Sequence, residues 1–171
     1  MLTLQLQRIS PTHHRLIYIR PDGSRESADI ETKTFLSHDF IHFALESEGH
    51  LIGGFFGLLA QGYTYAQLAG KEVSDLPVGQ AKTIEQVVGP LSGVIKGEIT
   101  PAHFLEGAKN LFDAHGEPIP RWLTLELVSK TKDRYKRLMG QWNSLSFGEV
   151  LELSFDPNPE LADHFYGDVS V

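Results

Sequence analysis

The chain contains no cysteine. Disulfide bonds, thiol nucleophiles and thiolate metal sites are therefore excluded, because each of them needs a cysteine sulfur. Three familiar motifs are also missing: a Gly-x-Gly-x-x-Gly loop, a P-loop and the Gly-x-Ser-x-Gly setting of a nucleophilic serine. These absences disfavour nucleotide binding and serine hydrolase chemistry.

The chain also lacks a basic excess and a long apolar run. Its formal net charge is −7, whereas binding to nucleic acid or to anionic lipid requires a basic surface. The most apolar run, 51–60, contains three glycines and is about half of the ~20 residues that a transmembrane helix needs. The segment Met1–Arg8 has neither a basic lead nor a continuous apolar region. We therefore expect a cytoplasmic protein without membrane or nucleic-acid partners.

The overall composition is that of an ordinary folded protein. Of the 171 residues, 41% are hydrophobic and 22% are charged, which is far from the composition of a disordered chain. No repeat, low-complexity block or linker divides the sequence. We expect one domain spanning residues 1–171.

Strand patterns lie at both ends of the chain. Leu2, Leu4 and Leu6 alternate with polar residues, which predicts a strand with one buried face. A second strand at 15–20 is followed by a turn at 21–24 and by a polar return strand at 25–33, typical of a sheet edge. A last strand at 148–155 should return to the N-terminal sheet.

Helical patterns fill the middle of the chain. The first helix is predicted to start at Ser37, whose hydroxyl can cap a backbone N–H, and to stop at Gly49 in a left-handed conformation. Further helices are predicted over 64–70, over 80–95 with a break near Gly89-Pro90, over 101–114 and over 121–141. The predicted fold is α+β: a small antiparallel sheet of the N-terminal strands and the C-terminal strand, packed against several helices.

The first of these helices carries the most versatile chemistry. At about 100° per residue, one sector about 100° wide holds four polar side chains, namely His38, Asp39, His42 and Glu46. The other side is apolar and consists of Leu36, Phe40, Ile41, Ala44 and Leu45. The helix is thus predicted to have a core face and a His/carboxylate face.

His38 and His42 have the spacing of two metal ligands on a helix. Imidazoles four residues apart lie one above the other and can hold one divalent ion such as zinc. The five residues His38–His42 resemble the His-Glu-x-x-His motif of the zincin metallopeptidases, in which the acidic residue is the general base. Here that residue is Asp39, whose carboxylate would lie about 1.5 Å further from the water it activates.

A divalent ion held by His38 and His42 would need a further protein ligand. Glu46 lies about 12 Å along the helix from His38, too far to share one ion with both histidines. It could instead orient His42 or serve with Asp39 as a catalytic group. The candidate third ligands on other elements are His50, Glu85, His103 and His115.

Two other interpretations compete with a metal-dependent hydrolase. The four polar residues could form an ordinary solvated helix face. Alternatively, the protein could be a non-enzymatic binding or assembly module, self-association included, that uses the apolar Gly/Phe segment 51–60. The basic stretch 130–137, with five of the fifteen Lys and Arg residues, and the pair His13-His14 in a predicted turn are expected on the surface.

A wider set of motifs spans most of the chain. It comprises Arg20-Pro-Asp-Gly-Ser24, His38-Asp-x-x-His42-Phe-x-x-Glu46, Gly53-Gly-Phe-Phe-Gly57, and Trp142 with Gly148-Glu-x-Leu-Glu-Leu153. This combination resembles a group of small uncharacterised bacterial proteins that carry the same helix motif. The resemblance implies a bacterial source and membership of that group, but no particular reaction.

Overall fold

The computed structural model describes residues 1–69, 78–158, 160 and 161. Within them four strands form one antiparallel sheet: β1 Leu2–Arg8, β2 His13–Ile19, β3 Arg25–Glu31 and β4 Val150–Phe155. A π-helical turn, Thr32–Leu36, leads into the helices α1 Ser37–Glu48, α2 Phe55–Ala60, α3 Tyr65–Ala69, α4 Val78–Lys96, α5 Pro101–Ala114 and α6 Leu125–Ser144. The predicted α+β class is confirmed.

The sheet has the order β3-β2-β1-β4. β4 returns from the end of the helical region to pair with β1, so that Leu4 lies between Tyr18 of β2 and Leu153 of β4. The polar strand β3 is an edge, as its composition predicted. The prediction that the C-terminal strand rejoins the N-terminal sheet is also confirmed.

Helix α1 packs on the apolar face of this sheet. Leu2, Leu4 and Leu6 are all buried there, because alternate residues of a strand point to one side. Phe40 and Phe43 of α1 belong to the same core cluster. The first core of the protein thus lies between the sheet and α1.

A second core lies on the other side of α1. Ile41 and Leu45 belong to a cluster with apolar residues of α4, α5 and α6. Since α1 has apolar neighbours on two sides, every residue from Asp39 to Glu46 is buried. The helix is therefore enclosed, although its sequence suggested one wet face.

The bounds of α1 match the prediction, but the conformations that form its two ends differ from it. Ser37 does not cap the helix, because the π-helical turn runs directly into α1 and Leu36 precedes the first helical residue. The Ser37 hydroxyl instead forms a hydrogen bond with the Tyr135 hydroxyl at 2.8 Å. Gly49 follows the last helical residue with a right-handed φ of −91°, and His50 takes the positive φ of 50°.

Helix α2, Phe55–Ala60, was not predicted from the sequence, whereas the remaining helices match the predicted order with changed limits. Thr64 and Gln67 form the reciprocal hydrogen bonds of a capping box, and Thr100 caps α5. α4 continues through Pro90, which is exposed, so water can reach the carbonyl that the proline leaves unpaired. α6 begins at Leu125 after its cap Thr124, not at 121. The predicted end of the third helix at Gly70 lies outside the described residues.

A helix that spans a membrane must be both long and apolar. In the part of the chain that the structure describes, no helix combines the length and hydropathy that crossing a bilayer demands.

Candidate metal centre

The two histidines predicted as ligands lie together on the first turns of α1. The ring centroids of His38 and His42 are 4.6 Å apart, with the planes inclined at 61°. The His38 side chain is 45% exposed, whereas that of His42 is 3% exposed. The pair therefore reaches from the surface into the protein.

Glu85 of α4 completes a group of three. Its Oε1 lies 3.1 Å from His42 Nε2, and its Oε2 lies 3.8 Å from His38 Nε2. One ligand atom of each residue lies within 4.8 Å of the other two. Two imidazoles and a carboxylate are a ligand set that zinc accepts in catalytic sites, with a fourth position left for water.

The other third ligands that the sequence offered lie elsewhere. His50 Nδ1 accepts a hydrogen bond from the backbone N–H of Asn158 at 3.4 Å. His115 Nδ1 donates to the Leu111 carbonyl at 2.7 Å, and His103 is exposed on α5. Among the four candidates, Glu85 is the residue that the tertiary structure brings to the histidine pair.

Glu46 holds His42 from the opposite side. Its carboxylate is fully buried and lies 3.0 Å from His42 Nδ1, which donates to it. The same carboxylate accepts the backbone N–H groups of Phe55 at 2.8 Å and Phe56 at 2.9 Å, where α2 begins. A histidine whose Nδ1–H is fixed in this way presents Nε2 to a metal.

The glycines after α1 make this contact sterically possible. A Cβ at Gly54 would overlap the Glu46 carboxylate, and one at Gly57 would overlap the backbone of Ile52. Only a residue without a side chain allows such close approach. The sequence contained a signal for this contact, since the glycine-rich run Gly53-Gly54-Phe55-Phe56-Gly57 follows Glu46 closely along the chain. The role of this run at the site was not predicted.

His42 has an unusual electrostatic environment. Burial lowers its pKa, but the Glu46 and Glu85 carboxylates outweigh burial and raise the pKa to about 9. Nε2 is 3.1 Å from Glu85 Oε1, but within the described residues it forms no hydrogen bond. Contact with His42 in turn lowers the pKa of the Glu85 carboxyl.

Asp39 lies next to His38 with part of its carboxylate unused. Its Oδ1 is 3.9 Å from His38 Nδ1, and its buried Oδ2 accepts no hydrogen bond from any residue that the structure describes. Asp39, Glu46 and Glu85 therefore surround the two imidazoles with three carboxyl groups. A cation at this place would reduce the repulsion among them.

His14 departs from the expectation that His13-His14 lies in a surface turn. Both residues belong to β2, and His14 is fully buried while His13 is exposed. Burial lowers the pKa of His14, against the opposing charge of Asp39. Its Nδ1 lies 3.1 Å from the Thr32 hydroxyl, and its Nε2 forms no hydrogen bond with the residues described by the structure. The period of two in β2 could have indicated this burial, because Leu16 and Tyr18 share its face.

The idea of a solvated helix face is wrong for three of the four polar residues. Asp39, His42 and Glu46 are buried, and only His38 is exposed. The enclosure of α1 between two apolar clusters explains this result.

The segment 51–60 contributes mainly to the interior. Phe56 is 3% exposed and packs edge-on against Phe43, with ring centroids 5.4 Å apart. Leu58 and Leu59 are also buried. These contacts leave little apolar surface of the segment for a partner, and they do not favour the assembly interpretation.

The basic stretch on α6 is largely paired or exposed. Lys130 lies 2.6 Å from Glu126, and Arg134 lies 3.0 Å from Glu48. Arg134 also stacks over the Phe43 ring, with its Cζ 5.2 Å from the ring centroid. This arrangement is that of a solvated helix face.

Comparison of the chain with protein families, with curated proteins and with solved structures found no match. The resemblance to a group of small bacterial proteins therefore stays a prediction.

Proposed function

We propose that the protein binds a divalent metal ion, with zinc as the best candidate, through His38, His42 and Glu85. The observation that supports this proposal most strongly is the convergence of three ligand atoms from two helices within 4.8 Å of one another. The buried Nε2 of His42 supports it further, because it has no hydrogen-bond partner in the described part of the chain. Glu46 then acts as the carboxylate that orients His42.

We further propose that this site hydrolyses an ester or amide. A divalent ion with three protein ligands lowers the pKa of water at its open position to about 7. That water would supply the oxygen that bonds to the acyl carbon, while the bond from this carbon to the leaving group would break. Asp39 is the proposed proton acceptor, which takes the water proton and returns it to the leaving group.

The contacts distinguish the roles of Asp39 and Glu46 on α1. The Glu46 carboxylate is occupied by His42 and by backbone N–H groups of α2, so neither of its oxygens is left for proton transfer. Among the described residues, Asp39 Oδ2 has no hydrogen-bond partner, and Asp39 is next to the proposed ligand His38 in the sequence. We therefore assign orientation to Glu46 and proton transfer to Asp39.

Metal analysis of protein without a histidine tag tests the first step. After dialysis against zinc, the wild type should retain one equivalent, whereas His38→Ala, His42→Ala and Glu85→Gln should lose it. His103→Ala and Glu126→Gln are matched controls on exposed helix surfaces and should keep it. Absence of stoichiometric metal from the wild type, or retention by all three ligand variants, would refute the site.

Asp39→Asn tests the proposed proton transfer. With zinc bound, hydrolysis of p-nitrophenyl acetate should fall about 100-fold in kcat, the usual scale of general-base catalysis. If Asp39 only oriented His38, the variant would instead lose about 10–100-fold in zinc affinity. An unchanged kcat in the zinc-loaded variant would exclude Asp39 as the proton acceptor.

A further inference from the structure

A cavity of about 310 Å³ lies beside the candidate metal centre. His42 and Glu85 form part of its wall. The remaining lining is mostly apolar and comprises Phe55, Leu58, Leu68, Ala81 and Ile84, with Lys82 as a further polar residue. Two of the three proposed metal ligands thus face an apolar space.

Lys82 does not introduce a free charge into this cavity. Its side chain is 60% exposed, and its Nζ lies 3.7 Å from Glu117 Oε1. The polar atoms that remain are those of His42 and Glu85, which the proposed metal would occupy. The cavity is therefore suited to an uncharged apolar group rather than to a second polar or anionic group.

The volume limits the size of that group. An apolar cavity of ~150 Å³ accommodates benzene. A cavity of about 310 Å³ has room for a phenyl ring or a linear chain of about six carbons. Burial of such a group against Leu58 and Ile84 would contribute binding energy beyond that of the metal contact.

We infer that the site selects substrates with an apolar acyl group of this size next to the hydrolysable carbonyl, such as hexanoyl or benzoyl esters and amides. This inference rests on the proposed metal site. The carbonyl would approach the ion between His42 and Glu85, and the acyl chain would extend into the cavity. Acetyl compounds would leave the cavity without an apolar occupant.

Hydroxamates test the inference by binding alone, because they chelate zinc with the same head group whatever chain they carry. Titration calorimetry on the zinc-loaded full chain should show hexanohydroxamate binding about 100-fold more tightly than acetohydroxamate, from four additional buried methylenes. Ala81→Leu, which places a larger side chain in the cavity, should reduce this ratio to below about tenfold.

Ala108→Leu is the matched control. Ala108 lines a separate cavity, also of about 310 Å³, between α4 and α5. In Ala108→Leu, hexanohydroxamate should still bind about 100-fold more tightly than acetohydroxamate. Equal loss in both variants would attribute the effect to general disturbance of the helices and overturn the assignment of the chain to this cavity.

The outcomes separate the two proposals. If zinc does not bind, the metal site is refuted and the substrate inference falls with it. If zinc binds but the two hydroxamates bind equally to the wild type, the metal site stands and the apolar selectivity is overturned. Both proposals are supported if the wild type prefers hexanohydroxamate, Ala81→Leu reduces this preference to below about tenfold and Ala108→Leu preserves it.

Discussion

At the scale of single residues, Glu46 connects the candidate metal centre to the fold. One buried carboxylate accepts a hydrogen bond from His42 and further bonds from the backbone at the start of α2. A buried carboxylate is tolerated only with such partners, since desolvation otherwise favours its neutral form. The residue that orients the imidazole thus also positions the next helix.

Glu46→Gln should therefore weaken both stability and metal binding. The amide carries an NH₂ group where the carboxylate has an acceptor oxygen, so at least one N–H donor loses its partner. We expect the free energy of unfolding to fall by about 3 kcal/mol and zinc affinity to fall about 10–100-fold. Urea denaturation and zinc titration measure the two effects.

Glu48→Gln is the control for this substitution. Glu48 lies on the same helix and pairs with Arg134 at a partly exposed position. Loss of that ion pair should cost less than about 1 kcal/mol and leave zinc affinity unchanged. The orienting role of Glu46 would be contradicted if both variants bound zinc like the wild type.

The residues of the site were only partly predictable. The four-residue spacing of His38 and His42 follows from helix geometry, so the pair could be recognised from the pattern. The sequence could not show that Glu85, and not His50, His103 or His115, is the third member of the group, because this depends on how α4 packs against α1. Local spacing determines contacts within a helix, whereas contacts between helices depend on the packing of the whole core.

At the scale of elements, α1 is the central helix, and the glycines after it determine how closely α2 can approach. Gly54 precedes α2 and lies against the Glu46 carboxylate. Gly140, by contrast, is exposed within α6, and a Cβ there would meet no atom within 4 Å. The two glycines provide a direct comparison between a close approach and an open helix position.

Gly54→Ala and Gly140→Ala should change stability in opposite directions. In Gly54→Ala the methyl group displaces the Glu46 carboxylate, and we expect a loss of about 1–3 kcal/mol. In Gly140→Ala the higher helix propensity of alanine should add about 0.5–1 kcal/mol. Thermal and urea unfolding of both variants measure these changes, and a neutral Gly54→Ala would show that Glu46 does not need this close contact.

The existence and order of the elements were predictable for reasons that differ along the chain, except for the π-helical turn and α2, which were not predicted. Alternation at Leu2–Leu6 and the cap at Thr100 are local signals, and the structure confirms both elements. Helix α1 starts at Ser37 as predicted, but Ser37 does not cap it, because the π-helical turn Thr32–Leu36 leads directly into the helix. Boundaries depend on the neighbouring backbone, which a capping pattern alone does not include.

At the scale of the whole molecule, the buried imidazole makes stability depend on pH. The pKa of His42 in the folded protein is about 9, above the ordinary value of 6.5 in an unfolded chain. The protonated ring therefore stabilises the metal-free fold fully below pH 6.5. This contribution is lost as the pH rises through 9.

We expect the metal-free protein to lose stability between pH 7 and 9.5. The loss should reach up to about 3 kcal/mol, and less to the extent that solvent screens the half-exposed Glu85. Urea unfolding in the presence of a chelator measures it. Two other groups titrate outside the range from pH 7 to 9.5. The pKa of His14 is lowered by burial, so its titration affects stability at acidic pH. Burial raises the pKa of Tyr65 to about 12, so its titration affects stability above pH 10.

His103→Gln is the control for the pH dependence, since His103 is exposed on α5. Replacement of the His103 imidazole should leave the change in the free energy of unfolding between pH 7 and 9.5 as it is in the wild type. Carbon-13 NMR of the His42 ring provides a direct reading of the titration and does not depend on a variant that could fold poorly. A stability that is flat from pH 7 to 9.5, or a His42 ring that titrates near 6.5, would contradict the proposed environment.

The sequence by itself determined the α+β class, the N- and C-terminal strands of the sheet and the spacing of the two histidines. Each of these follows from periodicity or from short-range geometry along one element. Only the tertiary structure decided that α1 is enclosed by two cores, that Glu46 turns His42 toward Glu85, and that an apolar cavity lies beside them. These features arise where α1, α2 and α4 meet, and the distances between separate elements depend on packing that no local pattern contains.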